Sequence, residues 1–379
     1  MKNILFAMIL FFALTAFNIA SAAVDFNAVN WDNAPVIGNR EQFFHYLREC
    51  ENRCQSDIAV KFSNGLFINI DECLKMTQSP AVEVSYLNEP QTQLTRALYR
   101  VNIYPGAKVA YAYTSGNTSM LNAEEKKLFN VAVQIVNEAN KQPNDLLKEY
   151  YIHDLITNRV SYYTGQQGRT LSRHDTAVGA LIDGRANCQG YTDAFYMLGK
   201  MLRLNVGKMH GKARGTGHAW NTITFNDGRI YAVDVTWDDP SFANQDGYNN
   251  YIYFNAPLEI LQTTHTWEAM YSPSIYPKID NRYFYNSQAF LDSKGKPVAF
   301  HTNSAETALY YMAQRISKEG YNLCWAMSPY DSRYADLNFS LNRLVKEILP
   351  KQYNWYGAVS MSIERRGNFM FYTVHANRK

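Results

Sequence analysis

Asn226-Asp227-Gly228 stands between two runs of alternating residues, and it fixes the geometry of the middle of the chain. Upstream, Gly215-Thr216-Gly217-His218-Ala219-Trp220-Asn221 opens a strand that alternates from Thr222 to Phe225. Downstream, Arg229 to Trp237 returns as a second strand and carries Asp234. A short polar turn with glycine between such runs is a hairpin signal. Turn length decides which side chains share a face, because a slip of one residue flips them all. A two-residue Asp227-Gly228 turn sets Asp234 opposite Asn221 and points it away from His218. A three-residue turn, Asn226 to Gly228 with Gly228 left-handed in a bulge, sets Asp234 opposite Trp220 instead. Asp234 and His218 then share a face one diagonal apart, roughly 7–8 Å and within reach of a hydrogen bond. The bulged turn is the one expected, since only it lets the two residues act as a pair.

Before this hairpin lies Gly184-Arg185-Ala186-Asn187-Cys188-Gln189-Gly190-Tyr191, a turn leading into a helical pattern that continues through Ala194, Phe195, Leu198, Met201 and Leu202. Cys188 falls in the first turn of that helix. Unpaired backbone amides and the helix dipole favour a thiolate there. A thiol, an imidazole and a carboxylate in this order supply a nucleophile (Cys188), its base (His218) and the group that orients the base (Asp234). The Cys188 backbone N–H is the natural first oxyanion donor, with Tyr162, Tyr163 and Gln189 as candidates for the second.

Asn187-Cys188-Gln189-Gly190-Tyr191, Gly217-His218-Ala219-Trp220-Asn221 and Tyr231-Ala232-Val233-Asp234-Val235-Thr236-Trp237-Asp238-Asp239-Pro240 together resemble the transglutaminase-like superfamily, in its secreted bacterial branch. Ile152-His153-Asp154-Leu155-Ile156, followed by Val160-Ser161-Tyr162-Tyr163, looks like the helix that precedes the family's core. Tyr253-Phe254-Asn255, with His265 shortly after, looks like the segment beyond it. The resemblance spans roughly residues 120–280. It implies an α+β fold with a papain-like core, the cysteine on a helix packed against antiparallel strands that carry the histidine and aspartate. It carries over Cys188, His218 and Asp234 as the catalytic triad, with none substituted. It also implies that active members pass through a thioester after attack on an amide or related acyl group. The fold hosts cross-linkers, peptidases and deglycosylating amidases, as well as members without activity. Papain itself is a poorer match, because its Cys-Gly-Ser-Cys-Trp signature is missing.

The compartment is read from the first residues. Met1-Lys2-Asn3, an uncharged apolar run from Ile4 to Ala20, and Ala20-Ser21-Ala22 form the three regions of a cleaved secretory signal, with cleavage expected before Ala23. The mature protein is thus expected outside the cytoplasm, secreted or at the periplasm or cell surface, with no stable membrane insertion after cleavage. There, disulfides form. Of Cys50, Cys54, Cys73, Cys188 and Cys324, either Cys50 or Cys54 could pair with Cys73. Cys324 is expected to be buried or bonded, and Cys188 to stay free. With 37 basic and 34 acidic side chains the chain carries no polybasic surface, so nucleic acid is not an expected partner. His153, His174, His210 and His265 lack the spacing of a metal pair and read as structural, His265 being the one near the cleft. Asp238 and Asp239 read as loop caps, and the chemistry calls for neither metal nor cofactor.

Both ends of the chain show a β-α-β-α-β-β order. At the N-terminal end the strands are Val36-Ile37, Asp57 to Phe62, Ala97 to Tyr104 and Ala107 to Tyr113, with helices at Glu41 to Cys54 and Asn69 to Met76. At the C-terminal end they are Pro297 to His301, Tyr321 to Met327, Trp355 to Ile363 and Asn368 to His375, with helices at Ser304 to Glu319 and Tyr334 to Leu349. The expected organisation is a signal peptide (1–22), an N-terminal α+β domain (23–120), a transglutaminase-like catalytic core (121–280) and a C-terminal α+β domain (281–379). The expected function is a secreted cysteine-dependent acyl-transfer enzyme acting on peptide or isopeptide amides, with protein, peptide or cell-envelope substrates. The alternative is a non-catalytic cell-envelope interaction or adhesion protein that uses the core as a scaffold.

Overall fold

The computed structural model of the chain describes residues 28–76, 82–89, 93–165, 171–239, 252–267, 299–301, 304–320, 323–366 and 369–378. The expected signal peptide, Pro240, Pro297 and Asn368 lie outside them. The first body runs β1 (Val36–Ile37), α1 (Arg40–Asn52), β2 (Asp57–Phe62), α2 (Ile70–Met76), β3 (Val82–Glu89) and β4 (Leu94–Val101). Asn39 starts α1 by accepting the Gln42 N–H at 2.9 Å, and Phe43, Phe44, Leu47 and Cys50 form its buried stripe. Ile58, Val60 and Phe62 alternate inward along β2 to meet that stripe.

The expected last strand pair of this unit is displaced toward the N-terminus. The strands are β3 and β4, whereas Ala107 to Tyr113 lies in a helix, α3 (Pro105–Ser115). Pro105 stands in the first turn, where its missing N–H is not needed, and Gly116 closes the helix at φ +72°. Val109 and Ala112 are buried at helical rather than alternating spacing. The Pro-Gly pair reads as a hairpin turn only if that spacing is overlooked.

The central body follows with α4 (Ala123–Ala139), α5 (Asp145–Arg159), β5 (Ser161–Tyr162), β6 (Arg185–Ala186), α6 (Cys188–Met201), β7 (Asn205–Ala213), β8 (Thr216–Thr224), β9 (Ile230–Val233), α7 (Val235–Asp238), α8 (Leu258–Leu261) and β10 (His265–Thr266). A reciprocal capping box between Asn122 and Glu125 starts α4, and Asn144 caps α5. The helix expected over Thr176 to Asp183 is a wide π-type turn across Gly179–Asp183. Its sheet has the order β10-β7-β8-β9, all antiparallel. Every residue of α6 except Gln189 and Lys200 is buried, so this helix is the centre of the core.

The third body runs β11 (Ala299–His301), α9 (Ala305–Glu319), β12 (Leu323–Pro329), α10 (Leu337–Asn342), α11 (Leu349–Tyr353), β13 (Gly357–Arg366) and β14 (Phe369–Arg378). The helix expected over Tyr334 to Leu349 is present as one continuous helical run from Leu337 to Tyr353, widened to a π-type turn across Arg343–Ile348. The two flanking sheets have one topology: β1-β2-β4-β3 and β11-β12-β14-β13, each with a parallel first pair and antiparallel partners after it.

Buried apolar side chains fall into three clusters, each centred on one body, with Met327 and Phe371 of the third joining the central one. We propose that these mark three domains divided near residues 120 and 280, with α3 a departure, since Val109, Ala110 and Ala112 join the central cluster. All five cysteines are free thiols, which corrects the expected pairing with Cys73. Cys50 and Cys73 are buried in the N-terminal cluster, while Cys54, at φ +54° past the end of α1, turns its sulfur to the Ala107 carbonyl at 3.5 Å. Cys324 is buried in the C-terminal cluster. Among the described residues no helix is long and apolar enough to cross a membrane.

Candidate active site

The nucleophile candidate is placed by its neighbour. Asn187 caps α6, its side-chain oxygen accepting the N–H groups of Gln189 at 3.0 Å and Gly190 at 3.3 Å, while its amide donates to Asp175. Cys188 is therefore the first helical residue, buried with a relative exposure of 4%. Gly190 lets this turn approach the preceding loop: a Cβ there would stand 2.5 Å from the His174 carbonyl oxygen and 2.7 Å from Ala186 Cβ. Parallel pairing of β5 with β6 sets Tyr162 beside Ala186, and its hydroxyl meets the Cys188 backbone. Burial, with the nearness of Cys188 and Asp234, raises the Tyr162 phenol and keeps it protonated.

The hairpin takes the bulged register. Asn221 faces Val233 and Thr222 faces Ala232, with Gly228 at φ +79°. Asp234 follows directly after β9, and its Oδ2 accepts His218 Nε2–H at 2.7 Å. It does not continue the strand as expected. Asp234 Oδ1 accepts the backbone N–H groups of Thr236 at 3.1 Å and Trp237 at 3.2 Å, so the aspartate caps the helical turn α7. With His218 Nε2 engaged, Nδ1 is the ring nitrogen left for the Cys188 thiol, which lies close enough to this imidazole to raise its pKa. Burial opposes a charge on His218, but the charge and hydrogen bond of Asp234, reinforced by Cys188, win and push its pKa up to about 10. Asp234 is also buried, and the two histidines beside it hold its carboxyl well below the usual carboxylate range.

The second histidine is His265 on the edge strand β10. Its Nε2 meets the same Asp234 Oδ2 at 3.0 Å. Its ring packs among Trp220, Trp237 and Tyr253 at centroid distances of 5.0, 5.0 and 5.2 Å. His218, Asp234 and His265 form the one cluster of metal-ligand composition among the described residues, with donor atoms within 4.8 Å of one another. Each of those atoms is already engaged in an N–H···O hydrogen bond, so the arrangement is complete without an ion.

His174, His153, Asp238 and Asp239 have structural partners. His174 Nδ1 bonds the Arg185 carbonyl at 3.0 Å and its ring stacks on Tyr163. His153 is buried between Asp154 at 3.1 Å and Asp238 at 3.2 Å, and Asp238 also accepts the Tyr253 N–H at 3.0 Å. Asp239 takes the Tyr191 hydroxyl. Asp238 and Asp239 are thus buried struts that tie α7 to α5 and α6. Two connections have no sequence signal. Asp193 on α6 accepts Lys208 Nζ at 2.7 Å and the N–H groups of Gly106 and Ala177, and Tyr104 donates to Gln189 at 2.9 Å. Gln189 adjoins the nucleophile but is held by the chain segment leaving the N-terminal sheet.

Residues 133–235 match the family model of the transglutaminase-like superfamily. This segment is similar to the core of that superfamily. It contains Cys188, His218 and Asp234 and ends before His265. Among solved structures the chain is similar to a TGase, with 14% identity over 53% of this chain and 59% of that one, at a TM-score of 0.28. It is also similar to the periplasmic domain of TgpA from Pseudomonas aeruginosa, with 10% identity over 44% and 68% of the two chains, at a TM-score of 0.27. The chain thus covers less than two thirds of the TGase structure it matches. No curated protein sequence matches the chain.

Proposed function

We propose that the transglutaminase-like core catalyses acyl transfer from peptide or isopeptide amides through a thioester on Cys188. The observation that carries this reading is the 2.7 Å contact between His218 and Asp234, which leaves the other imidazole nitrogen to a thiol at a helix start. With the thiol proton resting on His218 Nδ1, the Cys188 sulfur attacks the amide carbonyl. The oxyanion that forms is held by the Cys188 backbone N–H, and the Tyr162 hydroxyl is the second donor. Collapse breaks the C–N bond, and the proton on His218 goes to the departing amine. Water or a second amine then attacks the thioester and restores the thiol. Asp234 stabilises the imidazolium throughout, which agrees with the raised pKa of His218.

Export through a cleaved signal belongs to the same proposal, and N-terminal sequencing of the exported protein checks it. Turnover is tested with glutamine-containing peptides, with and without a labelled primary amine. Ammonia release that disappears in Cys188→Ala supports the reading, and incorporation of the amine separates cross-linking from hydrolysis. No ammonia release and no label from any peptide, with Cys188 accessible, counts against it. Because the leaving amine needs the His218 proton, turnover is expected to fall as pH rises through about 10.

A further inference from the structure

Asp234 Oδ2 faces two imidazoles, and the hydrogen bonds around it have one consistent direction. An ionised carboxylate can only accept. His218 Nε2 at 2.7 Å and His265 Nε2 at 3.0 Å must therefore both carry hydrogen. For His265, burial lowers the pKa and outweighs the pull of Asp234, so the ring is neutral with one proton to place. Nδ1 lies 2.9 Å from the Thr264 hydroxyl and within reach of the Leu261 carbonyl. A proton on Nδ1 would leave a lone pair on Nε2 against a carboxylate oxygen at 3.0 Å, which is repulsive. The proton thus belongs on Nε2, and Nδ1 accepts from Thr264. The Thr264 hydroxyl in turn lies 2.8 Å from the Tyr253 hydroxyl, which then donates to it. One directed chain runs from Tyr253 through Thr264 and His265 to Asp234, where it meets His218 from the other side.

We propose that His265 is a positioning residue for Asp234, its Nε2–H holding the same carboxylate oxygen that receives His218 and dividing the charge of that oxygen between two imidazoles. Oδ1 is already fixed by the N–H groups of Thr236 and Trp237, so the carboxylate keeps its orientation without His265. What His265 adds is a second donor on Oδ2, which limits how tightly Asp234 binds the proton of His218. The other titratable or charged groups around the pair are Cys188 on α6, Tyr162 on β5, His210 on β7, Asp238 on α7, and Arg214, whose guanidinium lies over Trp237 at 5.1 Å. None of them reaches Oδ2 in a hydrogen bond given by the structure. The catalytic consequence rests on the thiol chemistry proposed above, whereas the protonation pattern does not.

The test is histidine 15N NMR of the full chain, read as tautomer and titration. His265 is expected as the neutral Nε2–H tautomer at pH 7 and above. In His265→Leu, with no donor to Oδ2, the His218 midpoint is expected to rise by about one pH unit. His265→Gln restores an N–H donor and is expected to bring the midpoint back. A proton on His265 Nδ1 in the wild-type protein overturns the proposal, and this reading needs no variant to fold. An unmoved His218 midpoint in folded His265→Leu overturns it as well. An inert Cys188 alongside the expected tautomer and shift supports the positioning role and counts against the thiol chemistry alone.

Discussion

Asp234 accepts four N–H groups, two from histidines and two from the backbone, and this saturation is what lets a fully buried carboxylate stay charged. Glu149 is the contrasting case. It is also fully buried, but among the described residues Asn255 is its one hydrogen-bond partner, through Oε2 at 3.2 Å, and Glu149 Oε1 and Asn255 Oδ1 have none there. Burial pushes its pKa up to about 8, and a proton on Glu149 supplies the donor that this acid–amide pair needs. The folded state then binds a proton that the unfolded chain has released, so stability falls as pH rises from about 4.5 to about 8. Glu149→Gln removes that dependence. In denaturant titrations it is expected to equal the wild type at pH 4 and exceed it at pH 8, by on the order of 3 kcal/mol. A variant less stable at both pH values would contradict the assignment. At this scale the sequence was legible where chemistry demands residue types at defined places, as with Cys188, His218 and Asp234. His265 was legible only as a residue near the cleft, because its partner lies 31 positions away and no local spacing records the contact.

At the scale of elements, the hairpin register was legible and the start of α3 was not. Asn122, Asn144 and Asn187 each cap the helix that follows, and the three-residue turn brings His218 and Asp234 together. The misread elements share a physical cause. In α3 a Pro-Gly start looks like a turn, and after Asp234 a strand-like Val-Thr-Trp run is captured as a helical turn by the aspartate's own side chain. Tertiary contacts outweigh local preference in both. The start of α6 allows a direct test. Gly190→Ala forces a methyl group toward the His174 carbonyl and Ala186, contacts that no side-chain rotation relieves. It is expected to destabilise by about 1–3 kcal/mol in chemical denaturation and to slow Cys188 alkylation. Wild-type stability and reactivity together would show that the turn is looser than its packing indicates.

The whole molecule is joined at two seams. On the N-terminal side, Asp193 and Lys208 form a buried ion pair that also receives the Gly106 N–H, while Tyr104 reaches Gln189 beside the nucleophile. Removing one partner leaves the other charge buried and alone, so Lys208→Met is expected to cost about 3–5 kcal/mol, measured by equilibrium unfolding. On the C-terminal side the strands of the last sheet split their faces. Cys324, Ala326, Tyr372 and Val374 belong to the C-terminal cluster, while Met327 and Phe371 join the central one. Phe371→Ala is expected to cost about 3–5 kcal/mol, with the central core and the last sheet losing stability together. Separate transitions, with the core unaffected, would mean that this seam carries little energy. The repeated element order was legible apart from the strand pair that closes the N-terminal copy, whereas the sheet order and both seams depend on pairs with no sequence signature.

The central claim is that His218, oriented by Asp234, activates Cys188. It is tested most directly by the rate of Cys188 carboxamidomethylation with iodoacetamide, followed by mass spectrometry across pH in the full chain. The wild-type thiol is expected to react at neutral pH, with His218 holding its proton. In His218→Ala, with no imidazole to hold the proton, the rate at neutral pH is expected to fall by about tenfold or more. A Cys188 that is inert in the folded wild type, or that reacts identically in His218→Ala, would contradict the account.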